Sequence, residues 1–190
     1  MNRFVFVGQK ELYEAAQRVG MVIGACARLE QTVAYLEWQL LAFSWDKENP
    51  EASEYERQIA LRVEREARNK YAPLNQRLKA TSKAFATPQI SERISKEKRL
   101  ELLRRQWPGL RRRAEVLGEK RNMLGHTYLL WGEGKVWREV GRPWNEKIPV
   151  TEDEDNALSQ EIAQLTQEIG ALATELGNLL PFADHDRIIT

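Results

Sequence analysis

Apolar residues recur at alternating intervals of three and four along the first quarter of the chain. This spacing places one apolar stripe on one side of an α-helix, so it predicts a helix from about Gln9 to Phe43. Gly20 and Gly24 lie inside it, although a glycine costs a helix about 1 kcal/mol relative to alanine. We therefore expect a neighbouring helix to approach them closely. The stripe consists of Leu12, Ala15, Val19, Val22, Cys26, Leu29, Val33, Leu36, Leu40 and Phe43.

The same apolar spacing returns near the end of the chain and predicts a last helix. Thr151 and Glu154 have the spacing of a capping box, in which each side chain bonds the backbone of the other. The acidic residues of that first turn suit the positive end of the helix dipole. Pro181 ends the pattern. The stripe consists of Leu158, Ile162, Leu165, Ile169, Leu172, Leu176 and Leu179.

The segment after the first helix is charged and weakly patterned. Ser53 and Glu56 form another capping box, and the helix that they start extends to about Ala72. Pro73 is expected to kink or break it, because proline lacks an N–H and clashes with the preceding turn. The helix then continues over 74–85. We interpret the whole segment as one long exposed helix.

The next helix has a strong start signal, with Thr87 as the N-cap and Pro88 at the first helical position. We expect the sequence Trp107–Pro108–Gly109 to interrupt this helix. A further helical piece then continues to Leu124.

After residue 127 the pattern changes to aromatic and β-branched residues around a pair of glycines. Residues 128–131 and 135–140 predict the strands of a β-hairpin, and 132–134 its turn. The hairpin is either a small cap on the helices or a flap that lines a site with Trp131, Trp137 or Trp144. The predicted class is all-α: an up-down bundle of four to five long helices with a hairpin and loop insertion at about 128–150, in one domain over 1–190.

Composition excludes several classes of protein. The chain has 190 residues, 42% hydrophobic and 30% charged, which fits a helix-rich soluble protein. No apolar run reaches the length of about 18 residues that a membrane span needs, and residues 1–8 are too short for a signal peptide. The single Cys26 suits a reducing compartment, so we expect a cytoplasmic location. One cysteine and two histidines make a zinc site improbable, and no cofactor is expected.

Charge is distributed unevenly although the net charge is only +1. The stretch from Lys96 to Arg121 holds ten basic and four acidic residues, whereas the stretch from Thr151 to Asp186 holds nine acidic and no basic ones. A neutral protein with one strongly basic segment is expected to have a local site for a polyanion.

The basic segment ends in a group of residues suited to phosphate chemistry. Arg121 offers a fixed fork of donors for a phosphate, and His126 is a side chain that can transfer a proton near neutral pH. Asn122 lies four residues before His126, on the same helix face. Arg121 is roughly 140° away from His126 on a straight helix. The two converge better if Gly125 ends the helix or if two copies meet across a two-fold axis.

The pattern Arg-Asn-x-x-x-His-x-Tyr at 121–128 resembles the signature of the HEPN superfamily, and in particular of its RNase toxins. The resemblance implies an all-α bundle, a homodimer with the motif at its interface and metal-independent RNase activity. Arg121 and His126 would be catalytic and Asn122 would support them. Tyr128 matches the toxin tyrosine that some partner nucleotidyltransferases adenylylate, so an antitoxin partner is implied. The chain departs from the compact toxins in its longer middle region and its hairpin insertion.

Several further residues have two interpretations. Glu30 is a solvated or interfacial carboxylate, or else it orients Arg121 through a salt bridge. The triplet Arg111, Arg112 and Arg113, with Lys120, is either solvated charge or contacts RNA. His185 is expected at the surface.

Three functions therefore remain open: a metal-independent endoribonuclease acting as a toxin or defence effector, a non-catalytic helical dimer that binds RNA, a nucleotide or a protein partner, and a purely structural partner protein with no affinity for polyanions. Salt-sensitive binding without cleavage would distinguish the second from the first.

Overall fold

The computed structural model describes residues 8–67, 72–126, 128–140 and 146–180. The described chain is mostly helical with one small antiparallel sheet, so the predicted all-α class is confirmed in its broad form. The elements are α1 (Gln9–Glu48), α2 (Glu54–Ala67), α3 (Leu74–Phe85), α4 (Pro88–Lys96), α5 (Lys98–Gly125), β1 (Tyr128–Gly132), β2 (Lys135–Val140), β3 (Glu146–Pro149) and α6 (Glu152–Leu179).

The chain divides into two compact units. Unit 1 comprises the chain up to Leu29 together with Val116–Gln164, and unit 2 comprises Glu30–Glu115 and the chain from Leu165 onward. Helices α1, α5 and α6 each contribute a segment to both units. The expected single domain over 1–190 stays a prediction.

The two apolar stripes form much of the core, as their spacing predicts. In unit 2, Leu36 and Leu40 of α1 and Leu165 and Ile169 of α6 are fully buried. In unit 1, Val22, Leu29 and Ile162 are fully buried, and Cys26 is 1% exposed. Burial of one such side chain stabilises the fold by about 1.5–3 kcal/mol, so these stripes contribute strongly to the stability of each unit.

Close packing occurs at a different glycine from those that the sequence suggested. Beyond α1's own adjacent backbone, no atom of the described residues lies within 4 Å of the place where a Cβ would stand on Gly20 or Gly24, so the expected close approach of a neighbouring helix is wrong for the described ranges. At Gly177, by contrast, a Cβ would lie 2.8 Å from Gln39 Nε2. The Gln39 side chain of α1 thus lies against the bare backbone of α6 at Gly177, and a side chain at this position would displace the end of the glutamine.

The capping box that starts α2 is present. The Ser53 backbone N–H and hydroxyl both donate to Glu56 Oε2, at 2.8 Å and 2.7 Å, and the Glu56 N–H donates to Ser53 Oγ at 3.3 Å. The hydrogen bond from the Ser53 hydroxyl, followed by that from its backbone, lowers the pKa of the Glu56 carboxyl, because both favour the charged form.

The predicted break at Pro73 is confirmed, but the interpretation of the whole segment as one long exposed helix is wrong. Pro73 has extended backbone angles and precedes a separate helix, α3. That helix buries five side chains, because its apolar positions recur at helical spacing: Leu74, Leu78, Thr81, Ala84 and Phe85.

The break in the next helical region lies earlier than predicted. The chain is extended at Glu97, between α4 and α5, and α5 continues through Pro108. Trp107 is 3% exposed and its ring lies 5.9 Å from that of Phe85, while its indole N–H donates to Ser82 Oγ at 2.9 Å. This packing offsets the backbone hydrogen bond that the proline removes, so the predicted interruption at Trp107–Gly109 is wrong.

The hairpin region forms a three-stranded antiparallel sheet in the order β1-β2-β3. The turn between β1 and β2 has positive φ at Glu133 (53°) and Gly134 (74°), which is the backbone of a tight primed turn. The third strand, β3, falls in a segment that was predicted as a loop. Within the described part of the chain, no helix is long and apolar enough to cross a membrane.

Candidate functional site

The residues of the motif lie at the accessible end of α5, in unit 1. Arg121 is half-buried, whereas Asn122 and His126 are exposed. Arg121 Nη1 donates to Asn122 Oδ1 at 3.1 Å, and Arg121 Nε is shielded from solvent without a hydrogen-bond partner. Helix α5 ends at Gly125, and the His126 N–H donates to the Met123 carbonyl at 3.3 Å.

Asn122 and His126, which the sequence places on one helix face, do not hydrogen-bond to each other among the described residues. The Asn122 side-chain oxygen accepts from Arg121 instead. The helix stops one residue before His126, so the four-residue helical spacing no longer places the imidazole over Asn122. Across the described chain, no hydrogen bond to the His126 imidazole is found. The structure therefore joins two of the three motif side chains and leaves the third in solvent.

Arg121 differs from most other basic residues of α5 in its electrostatic surroundings. No carboxylate within the described ranges pairs with Arg121. Several other cations of the helix are bound by a carboxylate, with 2.5–3.6 Å between the nitrogen and the oxygen: Arg105 by Glu101, Arg111 by Glu115, Arg113 by Glu168 and Lys120 by Glu161. The guanidinium of Arg121 is thus available for an external anion.

The predicted RNA-binding residues separate into two kinds. Arg113 and Lys120 are bound to Glu168 (2.5 Å) and Glu161 (3.6 Å) of α6. Arg111 and Arg112 line an open cleft in unit 2, and of these two only Arg111 is bound by a carboxylate, that of Glu115, among the described residues. Consecutive arginines on a helix point about 100° apart, so only part of the triplet can face one ligand.

The cleft beside Arg111 has a volume of about 480 Å³ and lies between α3 and α5. Its floor is fixed by Ser82 Oγ, which accepts from Trp107 Nε1 (2.9 Å) and Arg111 Nη1 (3.1 Å) and donates to the Leu78 carbonyl (2.9 Å). A hydroxyl has one donor and two acceptor positions, so Ser82 is saturated and holds both partners. The other lining residues are Phe85, Ala86, Arg104, Pro108, Arg112 and Glu115.

A second cleft of about 420 Å³ borders another face of α3, also in unit 2. Lys79 and Lys83 line it and are both exposed. They are four residues apart and therefore neighbours on one helix face. These lysines and Arg104 are not among the residues predicted from the sequence; the four-residue spacing of the lysines was the available signal.

The sheet carries the remaining predicted aromatic residues. Tyr128 is 60% exposed at the start of β1. Trp137 is half-buried, its indole N–H donates to the Gly132 carbonyl at 3.0 Å, and Lys135 Nζ lies 4.1 Å above its ring. Trp131 contacts Gly8 so closely that a Cβ there would lie 2.1 Å from the indole. Trp131 is therefore a packing residue, and Trp144 lies outside the described residues.

Two other predicted residues do not join the motif. Glu30 is half-buried in α1 and belongs to unit 2, so its role toward Arg121 stays a prediction. His185 lies outside the described residues. Within those ranges, no group of three or more histidine, cysteine, aspartate or glutamate residues is arranged to hold a metal ion.

A buried charge cluster in unit 1 was missed by the sequence analysis. Asp155 of α6 is 3% exposed; its Oδ1 accepts from Arg138 Nη2 of β2 at 3.0 Å, and its Oδ2 lies 3.6 Å from Arg18 Nε of α1. The cluster joins three elements. Nothing in the local sequence pattern distinguishes Asp155 from its acidic neighbours in the first turn of α6.

Comparison with protein-family models, with curated proteins and with solved structures finds no match to this chain.

Proposed function

We propose that this protein is a metal-independent endoribonuclease of the HEPN type, acting from a homodimer in the cytoplasm as a toxin or defence effector. Arg121 and His126 are its catalytic residues and Asn122 positions the arginine. The proposal includes the finer architecture predicted from the sequence, an up-down bundle with the motif at the dimer interface. An antitoxin partner, and modification of Tyr128 by it, follow from the resemblance alone.

The proposal is supported by an arginine with no carboxylate partner in the described chain, Arg121, and an exposed imidazole, His126, at the same helix end. Arg121 is half-buried and no carboxylate among the described residues offsets its charge, so the guanidinium can pair with a phosphate, and Asn122 fixes one of its nitrogens at 3.1 Å. The exposed imidazole five residues later can reach a substrate from solvent. Together they supply a phosphate anchor and a proton carrier at one helix end.

The reaction uses the nucleophile that RNA contains. The 2′-oxygen attacks the adjacent phosphorus while one imidazole removes its proton, and the bond from phosphorus to the 5′-oxygen breaks as a second imidazole donates a proton to that oxygen. The products are a 2′,3′-cyclic phosphate and a free 5′-hydroxyl. Each chain has a single histidine in the motif, so the second imidazole comes from a second copy. Arg121 stabilises the charge that develops on the phosphorane.

The test is incubation of the purified protein with labelled single-stranded and structured RNA in EDTA, beside His126→Ala. We expect the wild type to leave a 2′,3′-cyclic end, and the variant to be slower by about 10²–10⁴-fold with an unchanged melting curve. DNA, which lacks the 2′-hydroxyl, should remain intact. Cleavage by His126→Ala at the wild-type rate would refute the mechanism.

A second candidate, a non-catalytic helical dimer that binds RNA, nucleotide or a protein partner, is favoured by one observation. His126 has no hydrogen-bond partner that fixes its ring among the described residues, whereas catalysis by an imidazole requires a defined orientation. Intact RNA in the presence of a folded, dimeric wild type that nevertheless binds RNA in a salt-dependent manner would support this candidate.

A further inference from the structure

We infer that the basic surface formed by α3 and α5 in unit 2 binds the phosphates of single-stranded RNA. This surface, called the α3/α5 surface, consists of Lys79, Lys83, Arg104 and Arg112 around the two clefts. The inference rests on the proposed function, because it names where the substrate is held away from the motif.

The four cations of the α3/α5 surface are exposed, and none has a carboxylate partner among residues that the structure describes. Several other cations of unit 2 are each paired with a carboxylate: Lys96 with Glu92 at 2.5 Å, Arg105 with Glu101 at 2.6 Å, and Arg99 with Glu175. Charges that are already paired gain little from an external phosphate, whereas unpaired ones exchange only mobile counterions. The α3/α5 surface therefore has the stronger attraction for a polyanion.

Helical geometry places these charges on one continuous surface. Ser82 and Ala86 of α3 line the first cleft, and Lys79 and Lys83 line the second. Positions three apart on an α-helix differ by about 60° in direction, so the two clefts border adjacent faces of α3. Arg104 and Arg112 lie on the far side of the first cleft, on α5. A strand of phosphates that crosses α3 meets lysines on one side and arginines on the other.

The shape of the first cleft favours an unpaired strand over a duplex. Its walls combine the arginines with the apolar surfaces of Pro108 and Ala86 above a floor held by Ser82. A volume of about 480 Å³ accepts a single flat base beside its phosphate, and stacking of a base on an arginine plane tolerates any sequence. The only acid among its lining residues, Glu115, is bound to Arg111 at 2.9 Å.

The test measures binding of a fluorescent, unstructured RNA of about 12 nucleotides by anisotropy, with every protein carrying His126→Ala to prevent cleavage. One variant replaces Lys79, Lys83, Arg104 and Arg112 with glutamine. The matched control replaces Lys96, Arg99, Arg105 and Arg113, each of which is paired with a carboxylate, with glutamine and so removes the same net charge from unit 2. Both are compared with the His126→Ala parent between about 50 and 200 mM KCl, with melting curves to establish folding.

We expect the α3/α5 variant to lose about 0.7 from the slope of log affinity against log salt for each phosphate contact, up to about 3 in total. The control should change the slope by less than the value of one phosphate contact, about 0.7. An unlabelled duplex should compete for binding more weakly than the single strand. Equal losses in the two variants, an unchanged slope in the α3/α5 variant, or equal competition by duplex would overturn the inference. If the wild type fails to cleave RNA but the slope falls as expected, the proposed nuclease activity is refuted and the α3/α5 surface is supported. If the wild type cleaves RNA but the α3/α5 variant has an unchanged slope, the nuclease activity is supported and the α3/α5 surface is refuted.

Discussion

Unit 1 contains two arginine sites of opposite character. Arg138 is 8% exposed and donates to Asp155, which also faces Arg18. Arg121, at the end of α5, is half-buried and its one described side-chain partner is the neutral Asn122. The first site balances its buried charge with a carboxylate, and the second does not.

The difference separates stabilising charge from available charge. Removing an ion from water costs several kcal/mol, so a buried arginine is tolerated only with a well-placed opposite charge. A half-buried arginine keeps part of its hydration and needs no such partner. We therefore expect substitutions at the Asp155 cluster to lower the free energy of unfolding. Substitutions at Arg121 should change the binding and cleavage of RNA but not stability.

The largest effect is expected from Asp155→Ala. This change leaves Arg138 buried beside Arg18 without the carboxylate between them, and should lower the free energy of unfolding by about 3–5 kcal/mol. Urea denaturation followed by circular dichroism measures it. Asp153→Ala is the matched control, because Asp153 is exposed in the same helical turn and removes the same charge from the helix dipole. Equal losses in both variants would show that the dipole, rather than the buried pair, is responsible.

An intermediate effect is expected from Glu56→Gln, which isolates hydrogen bonding from burial because Glu56 is fully exposed. Its pKa is lowered in the folded chain, so the capping box contributes its full stabilisation above the ordinary glutamate pKa of 4.5, and this stabilisation is lost as the pH falls through the lower folded pKa. The wild type should therefore melt above the variant at pH 7, and the two melting temperatures should converge in strong acid. A difference that widens toward low pH would contradict this sign.

The smallest effect on stability is expected from Arg121→Met. The substitution keeps an unbranched side chain and removes a guanidinium that has no carboxylate partner in the described chain, so the free energy of unfolding should change by less than about 0.5 kcal/mol. RNA cleavage should nevertheless fall strongly, because the phosphate loses its anchor. Urea denaturation and a cleavage assay on one preparation measure the two quantities. A large loss of stability would place Arg121 with the buried cluster instead.

The helices that follow a regular apolar repeat could be predicted from the sequence. Leu165 and Ile169 of α6 are fully buried where the spacing places them, because that periodicity depends only on the helix itself. The continuation of α5 through Pro108 could not be predicted. Local chemistry favours a break there, and the burial of Trp107 against Phe85 and Ser82, which lie more than twenty residues earlier, overrides it. β3 was missed because Glu146–Pro149 lacks the β-branched alternation of its neighbours.

The candidate site shows the same division. The spacing of Arg121, Asn122 and His126 predicts a group of side chains suited to phosphate chemistry at the end of α5. Which arginine of the triplet is available could not be predicted, because it depends on the neighbouring helix: Arg112 lines a cleft, whereas the next residue, Arg113, is bound by Glu168, 55 positions away. Sequence spacing gives the direction of a side chain on its own helix, but not the charge that it meets.

The burial of Cys26 gives unit 1 an internal reporter of its own opening. It is the only cysteine of the chain and is 1% exposed, so a thiol reagent modifies it only in molecules whose core has opened. When closing is faster than modification, the ratio of the observed rate to that of an unprotected thiol equals the population of the open form. The wild-type chain thus allows the local opening equilibrium to be followed by labelling kinetics, without denaturant and without an introduced probe.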